Sequence, residues 1–344
     1  MNRIALMVLK NTFALPGLWS KLCAHAKNPD NYPEIDRWMH IQGIMKRALK
    51  AGNVELTVTG KENIPEKDGL LLVANHQGMF DIFIMYGYIH KRFKWIMKDT
   101  LRKMPLLGKA CYDTGHIFVN RETPQKDLLR KSVSTLKSGV CMGIFPEGTH
   151  QAKYSMLPLS KGIFRIALQA KELLGDKPLY IVPVGIRYGN FYRFRSSARV
   201  QFGNPINVGE FVAEHSDRTV PEQINLMREL LAARMKENLH FIPNDEDYNA
   251  KSEICAAVYA TECKSNNGYP NPLVDINKLS AERIEKLKEE KPEEAERLIA
   301  LGNKARKLRL AKSISLKSVT NPHGCLSQTA RALLLLVTLP YTLF

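Results

Sequence analysis

A histidine and an aspartate five residues apart can serve as a base and its orienter, and two pairs in the chain with that spacing are His25 with Asp30 and His76 with Asp81. In a tight turn the carboxylate fixes the imidazole tautomer and stabilises the cation formed when the ring takes a proton. This is the base half of a Ser-His-Asp site, with the hydroxyl supplied by a substrate. Spacing alone is weak support, because nine His and twelve Asp in 344 residues give roughly 0.3 such pairs by chance. Context separates the two. The first contains Pro29 and follows no core strand, so it reads as fortuitous. The second, Asn75-His-Gln-Gly-Met-Phe-Asp81, directly follows an apolar run, and the rim of an α/β sheet is a usual place for a site. On spacing alone, a helix-capping Asp81 beside an unrelated loop His fits equally well.

Two further segments carry chemistry-bearing residues. Phe145-Pro-Glu-Gly-Thr-His150 follows another apolar run. Its Pro fixes the backbone, its Gly permits close approach, and its Glu and Thr offer hydrogen-bonding groups. Taken by itself it is also an ordinary strand-to-loop turn. Gly115-His-Ile-Phe-Val-Asn-Arg121 sets Arg121 just beyond a short strand, where its planar fork suits a phosphate. Lys98, after Phe93–Met97, adds a second cation; for both, ordinary surface charge is the plain alternative.

The elements that must position these residues alternate along the middle of the chain. Strand patterns run over Val54–Val58, Gly69–Ala74, Phe93–Met97, Ile117–Val119, Val140–Phe145, Tyr180–Ile186 and Val200–Phe202. Helical spacing marks Gln125–Lys137, Gly162–Leu174 and Pro221–Asn238. It also marks a helix from a capping Asp36 to Gly52, which reads as a surface helix packed on the core, with an interfacial role as the alternative. About seven strands alternating with helices predict an α/β layer architecture.

The chain carries 50 Lys plus Arg against 34 Asp plus Glu, a net charge of +16, with 44% hydrophobic residues. That composition excludes wholesale disorder, and no apolar run reaches the ~20 residues of a membrane-spanning helix. The basic excess calls for an anionic partner. Six scattered cysteines without a C-x-x-C pair argue against a disulfide framework or zinc site, and no secretory signal is read at the N-terminus. No RNP-like, helix-turn-helix or zinc-finger pattern supports nucleic acid as the partner.

Together the motifs resemble the glycerolipid acyltransferases typified by lysophosphatidic acid acyltransferase. The first motif of that family, N-H-x-x-x-x-D, matches Asn75-His76 through Asp81. The second matches Gly115 through Arg121, the third Phe145-Pro-Glu-Gly-Thr-His150, and the fourth Ile181-Val-Pro-Val-Gly-Ile186. Lys161-Gly162 and Phe202-Gly-Asn-Pro-Ile206 add to the likeness, which covers roughly residues 38 to 240. It implies a mixed sheet of about seven strands flanked by helices, with His76 as general base and Asp81 as its orienter. Arg121 and Lys98 would bind the acceptor's phosphate. Glu147, Gly148 and Thr149 would line the acceptor site, and Asn75 would bond within the turn. The implied reaction moves an acyl group from acyl-CoA or acyl-carrier protein to the sn-2 hydroxyl of a lysophosphatidate, with no metal or cofactor. Related acceptors (glycerol-3-phosphate, another lysophospholipid, a lyso-aminolipid) or an idle lipid-binding scaffold are the alternatives. Position 150 departs from the family's usual Arg or Ser; a neutral imidazole there would weaken a phosphate contact and make it pH-sensitive.

Three regions follow from this reading: an apolar, basic segment at residues 1–35, an acyltransferase domain at 36–245, and an extension at 246–344. The first is expected to associate with the anionic cytoplasmic face of a membrane, peripherally or monotopically. The extension holds charged helices around Ser280–Glu290 and Pro292–Leu310, then a basic stretch and an apolar tail. That tail reads as an interfacial plug, a partner-binding helix or the start of a cut membrane segment.

Overall fold

The computed structural model describes residues 31–52, 55–66, 69–78, 80–89, 91–103, 115–119, 126–149, 153–188, 197–265 and 275–314, with the single residues Ser20, Ala24, Gly108 and Thr329. Nearly all of the 1–35 segment, Arg121, His150 and the apolar tail lie outside them.

In chain order the described elements are α1 (Glu34–Gly52), β1 (Glu55–Thr59), β2 (Gly69–Ala74), α2 (Phe80–Tyr88), β3 (Phe93–Lys98), β4 (Ile117–Val119), α3 (Lys126–Lys137) and β5 (Cys141–Ile144). There follow α4 (Gly162–Leu174), β6 (Leu179–Tyr188), β7 (Ser197–Phe202), β8 (Ile206–Asn207), α5 (Val208–Glu214), α6 (Val220–Glu237), α7 (Tyr248–Ser265), α8 (Ile276–Glu290) and α9 (Pro292–Ala311). The strands form one eight-stranded sheet in the order β1-β7-β6-β2-β5-β3-β4, with β8 also pairing to β6. All neighbours are parallel except β6 with β7 and β6 with β8, which run antiparallel. The sheet is therefore mixed, as expected, with one short strand more than the seven predicted.

The central strand is β2, between β5 and β6. Leu70 to Ala74 are fully buried, as a continuous apolar run demands when helices cover both faces. Leu70, Leu72 and Ala74 face a core closed by Trp38, Ile41, Met45 and Leu49 of α1 and by α2. Leu71 and Val73 face the opposite core, closed by α3, α4 and α6. The alternation of side chains along one strand thus builds two hydrophobic layers.

One local expectation changes. Asp36 is not the cap of α1. The helix begins at Glu34, because the Pro33 carbonyl accepts from the N–H groups of both Asp36 and Arg37, which places Asp36 in the first turn. Trp38, Ile41, Met45 and Leu49 are all under 8% exposed, so the reading of this helix as packed on the core is the one the structure supports.

The helical C-terminal unit has its own core, formed by Ile242, Tyr248, Ala250, Cys255, Ala281, Ile284 and Ile299. Within it Lys251, 1% exposed, is paired with Asp245 at 2.8 Å and Glu285 at 2.7 Å. Arg309 of α9 engages both carboxylate oxygens of Glu253 on α7, at 2.6 and 3.0 Å. Among the described residues no helix is long and apolar enough to cross a membrane.

Candidate active site

The chain leaves β2 at Ala74, and the next residue anchors the exit. The Asn75 side chain, 2% exposed, donates to the Ile186 carbonyl at 2.9 Å and accepts from the Ile186 N–H at 2.7 Å. It therefore bonds across to β6 and not within its own turn. Burial and two backbone partners make it a brace between strand ends.

Five residues later the chain enters α2, with Asp81 in the first turn, where a carboxylate suits the helix dipole. Asp81 is fully buried. Its Oδ2 accepts from the Gln77 N–H at 2.7 Å, the Gly78 N–H at 2.9 Å and His76 Nδ1 at 2.9 Å. Its Oδ1 accepts from the Tyr188 hydroxyl at 2.5 Å. The tight turn needed for a His–Asp pair is thus made by the carboxylate itself, which gathers the backbone around it. With Nδ1–H facing the carboxylate, Nε2 is the ring nitrogen that can take a proton. The side chains are 16% exposed for His76 and 0% for Asp81, so the base reaches solvent and its orienter does not.

Three strands fix the plane of the imidazole. His76 stacks on Phe145 with ring centroids 4.1 Å apart and planes 13° apart, and Phe145 stacks on Trp95 at 4.6 Å and 10°. Trp95 in turn meets Phe93 edge-on at 5.3 Å. Beneath Trp95 lies Gly143 of β5, where an added Cβ would come within 2.8 Å of the indole ring. The second motif residue to serve the base is Glu147. Its Oε1 accepts from the His76 N–H at 3.0 Å, and its Oε2 accepts from the Leu157 N–H at 2.8 Å. Burial raises the Glu147 carboxyl above its ordinary value, against the opposing pull of those two backbone bonds and of His76. Gly148 sits at φ 76°, a left-handed conformation that favours glycine, and its N–H closes the turn on the Phe145 carbonyl at 3.2 Å.

Beside this pair opens a cleft of about 680 Å³, lined by residues of β3, β4, β5, α3 and α4. Much of the wall is apolar, including Ile96, Val119, Leu129, Ile144, Ile163 and Ile166. Of the sequence-derived set, Lys98, Glu147 and Gly148 line it, whereas Thr149 is exposed and outside the lining. Arg121 and His150 are outside the described residues, so their relation to the cleft is not part of this geometry.

Two residues with a place here escaped the sequence reading. Tyr188 is held neutral, its phenol pushed well above the ordinary value by burial and then by the Asp81 charge and hydrogen bond, so it serves Asp81 as a donor. Arg165 of α4 lines the cleft along with Gln169 one turn on. An Arg three residues after Gly162 on a helix following the third motif was a usable signal. Tyr188, 107 residues from its partner, offered none.

Residues 55–187 match the family model described as Acyltransferase, a stretch that contains the His76–Asp81 pair and ends one residue before Tyr188. The chain is similar to the 1-acyl-sn-glycerol-3-phosphate acyltransferase of Chlamydomonas reinhardtii, 33% identical over 119 residues, covering 34% of this chain and 36% of that protein. It is similar to the enzyme of the same name from Saccharomyces cerevisiae, 29% identical over 199 residues, covering 52% of this chain and 61% of that one. These matches thus span less than two thirds of the relatives' own lengths. Among solved structures, the 1-acyl-sn-glycerophosphate (LPA) acyltransferase of Thermotoga maritima shares the fold, with a TM-score of 0.51 and 22% identity, over 68% of this chain and 95% of that one.

Proposed function

We propose, from an acyltransferase-family domain at residues 55–187, that the chain transfers a fatty acyl group from a thioester to the sn-2 hydroxyl of 1-acyl-glycerol-3-phosphate, giving phosphatidate. The observation that carries this reading is the His76 imidazole, fixed through Nδ1 by the buried Asp81 at 2.9 Å, against Phe145 and Glu147, which line the largely apolar cleft. Nε2 takes the proton of the acceptor hydroxyl as its oxygen attacks the thioester carbonyl. The C–O bond forms, the C–S bond breaks, and the imidazolium returns its proton to the departing thiolate. Asp81 stabilises the imidazolium in between, and Tyr188 and two backbone N–H groups hold Asp81.

The apolar lining suits an acyl chain, while Lys98 and Arg165 supply positive charge for a phosphate. Arg121, implied by the family resemblance, would join them. Acyl-CoA or acyl-carrier protein serves as the donor. Because the acceptor is amphiphilic and the chain carries +16, the enzyme works peripherally at an anionic membrane surface, on its cytoplasmic face. Glycerol-3-phosphate or another lysolipid is the second acceptor class, and the His at position 150 is the observation that keeps it in view.

The test is thiol release and product formation by purified protein given oleoyl-CoA and a panel of acceptors. Lysophosphatidate is expected to be the best acceptor. His76→Ala is expected to abolish transfer with the circular-dichroism spectrum unchanged; an active His76→Ala protein would sink the mechanism.

A further inference from the structure

We propose that Tyr248 is a positioning residue for the His76–Asp81 pair, acting through the 153–157 loop and so making the helical C-terminal unit part of the site's support. The kinetic half of this inference rests on the acyl-transfer reading; the structural half does not. Residues 153–160 are irregular chain between β5 and α4, and such a segment takes its position from what grips it.

On one side the grip comes from the C-terminal segment. The Tyr248 hydroxyl, buried in the first turn of α7, accepts from the Tyr154 N–H at 2.8 Å, and the Ile242 N–H donates to the Tyr154 carbonyl at 2.6 Å. Both backbone groups of Tyr154 are thereby held. Its ring packs against the C-terminal core and lies 4.2 Å from that of His240. One residue earlier, Lys153 Nζ donates to Asn244 Oδ1 at 3.2 Å and sits 5.0 Å from the centre of the Tyr248 ring.

On the other side the same loop holds the catalytic turn at two points. The Leu157 N–H fixes Glu147 Oε2, whose other oxygen takes the His76 N–H. Gln77 Nε2 donates to the Lys153 carbonyl at 3.3 Å. A continuous path therefore runs from Tyr248 through Tyr154, Leu157 and Glu147 to the backbone of the base. Its outer end lies well beyond the family match, which stops at residue 187.

Tyr248→Phe removes only the hydroxyl and keeps the ring under Lys153. It is expected to lower kcat about three- to tenfold, the worth of one neutral hydrogen bond, with KM for either substrate within about twofold. The path predicts coupling: in a Glu147→Gln background, which already breaks the bridge, adding Tyr248→Phe changes kcat by less than about twofold. Amide hydrogen exchange supplies a readout independent of turnover. Exchange at His76 and Leu157 should speed up in Tyr248→Phe, while amides of β2 stay protected. Unchanged protection at His76 and Leu157, or fully additive kinetic losses, would overturn the inference. Should wild-type protein transfer no acyl group, the proposed function falls and the exchange result still decides the clamp. Should Tyr248→Phe not fold, Asn244→Ala loosens the same clamp at an exposed position and is read in the same way.

Discussion

Asn and Ala at position 81 separate the charge of the orienter from its geometry. Oδ2 of Asp81 accepts from Gln77 N–H, Gly78 N–H and His76 Nδ1. An amide nitrogen cannot replace it there, so Asp81→Asn must put its oxygen in the Oδ2 position and its NH2 towards Tyr188, whose hydroxyl can rotate to accept. Every bond survives, the His76 tautomer included, and only the negative charge is lost. An imidazolium and a carboxylate with centres about 4 Å apart at an effective dielectric near 20 attract by about 4 kcal/mol. At about 1.36 kcal/mol per decade, kcat should fall about 10³-fold, with folding stability within about 1 kcal/mol of wild type. Asp81→Ala instead strands the two turn N–H groups at about 1–3 kcal/mol each, with the partial exposure of the turn favouring the lower end. Initial rates of thiol release and urea unfolding measure both quantities. The reasoning fails if Asp81→Asn keeps wild-type kcat, or if the Asn and Ala variants are destabilised equally.

Gly143→Ala pushes a Cβ into the Trp95 indole, which passes the displacement through Phe145 to the His76 ring. It should cost about 1–3 kcal/mol of stability by overpacking and reduce kcat at unchanged His–Asp composition, both visible by thermal melting and rate assay. Stability should also fall in mild acid. Burial holds His116 and His240 at about 3, with Lys94 adding to the effect at His116 and Arg187 at His240, where Asp275 opposes it. Folded values below the ordinary 6.5 mean that the unfolded chain binds these protons first as pH falls. Their contribution is complete above pH 6.5, and each loses about 1.4 kcal/mol by pH 5.5. Urea unfolding at pH 7.5 and 5.5 reads the loss, which should shrink by about half in His240→Asn.

What could be read in advance divides along physical lines. β2 and α4 were predicted with the boundaries they have, because a run buried on both faces and a strongly one-sided helix write their extents into local pattern. The first motif was legible for the same reason: its turn is closed by residues within five positions of each other. β6 runs two residues past the predicted Ile186, since Arg187 and Tyr188 look like a strand exit until pairing with Arg199 and Ala198 of β7 extends the ladder. α7 went unseen. Its sequence shows little one-sided patterning, as it is wedged between α8 and α9 by small residues, with Gly302 of α9 against the backbone of Ala250. The ring stack under His76 and the cross-strand role of Asn75 were illegible because they depend on sheet order, which no local signal records.

The distances along the chain between the partners of this site carry a kinetic consequence. His76 is held by Glu147 71 positions away, Asn75 by Ile186 111 away, and Asp81 by Tyr188 107 away. The first of these bonds needs β2 to have found β5, and the other two need it to have found β6; closing such long loops is what slows folding. On a ribosome, a nascent chain that has emerged only as far as α4 already holds the paired His and Asp but lacks the Tyr188 that secures the carboxylate. The order of synthesis therefore completes the base-and-orienter pair only once β6 has emerged.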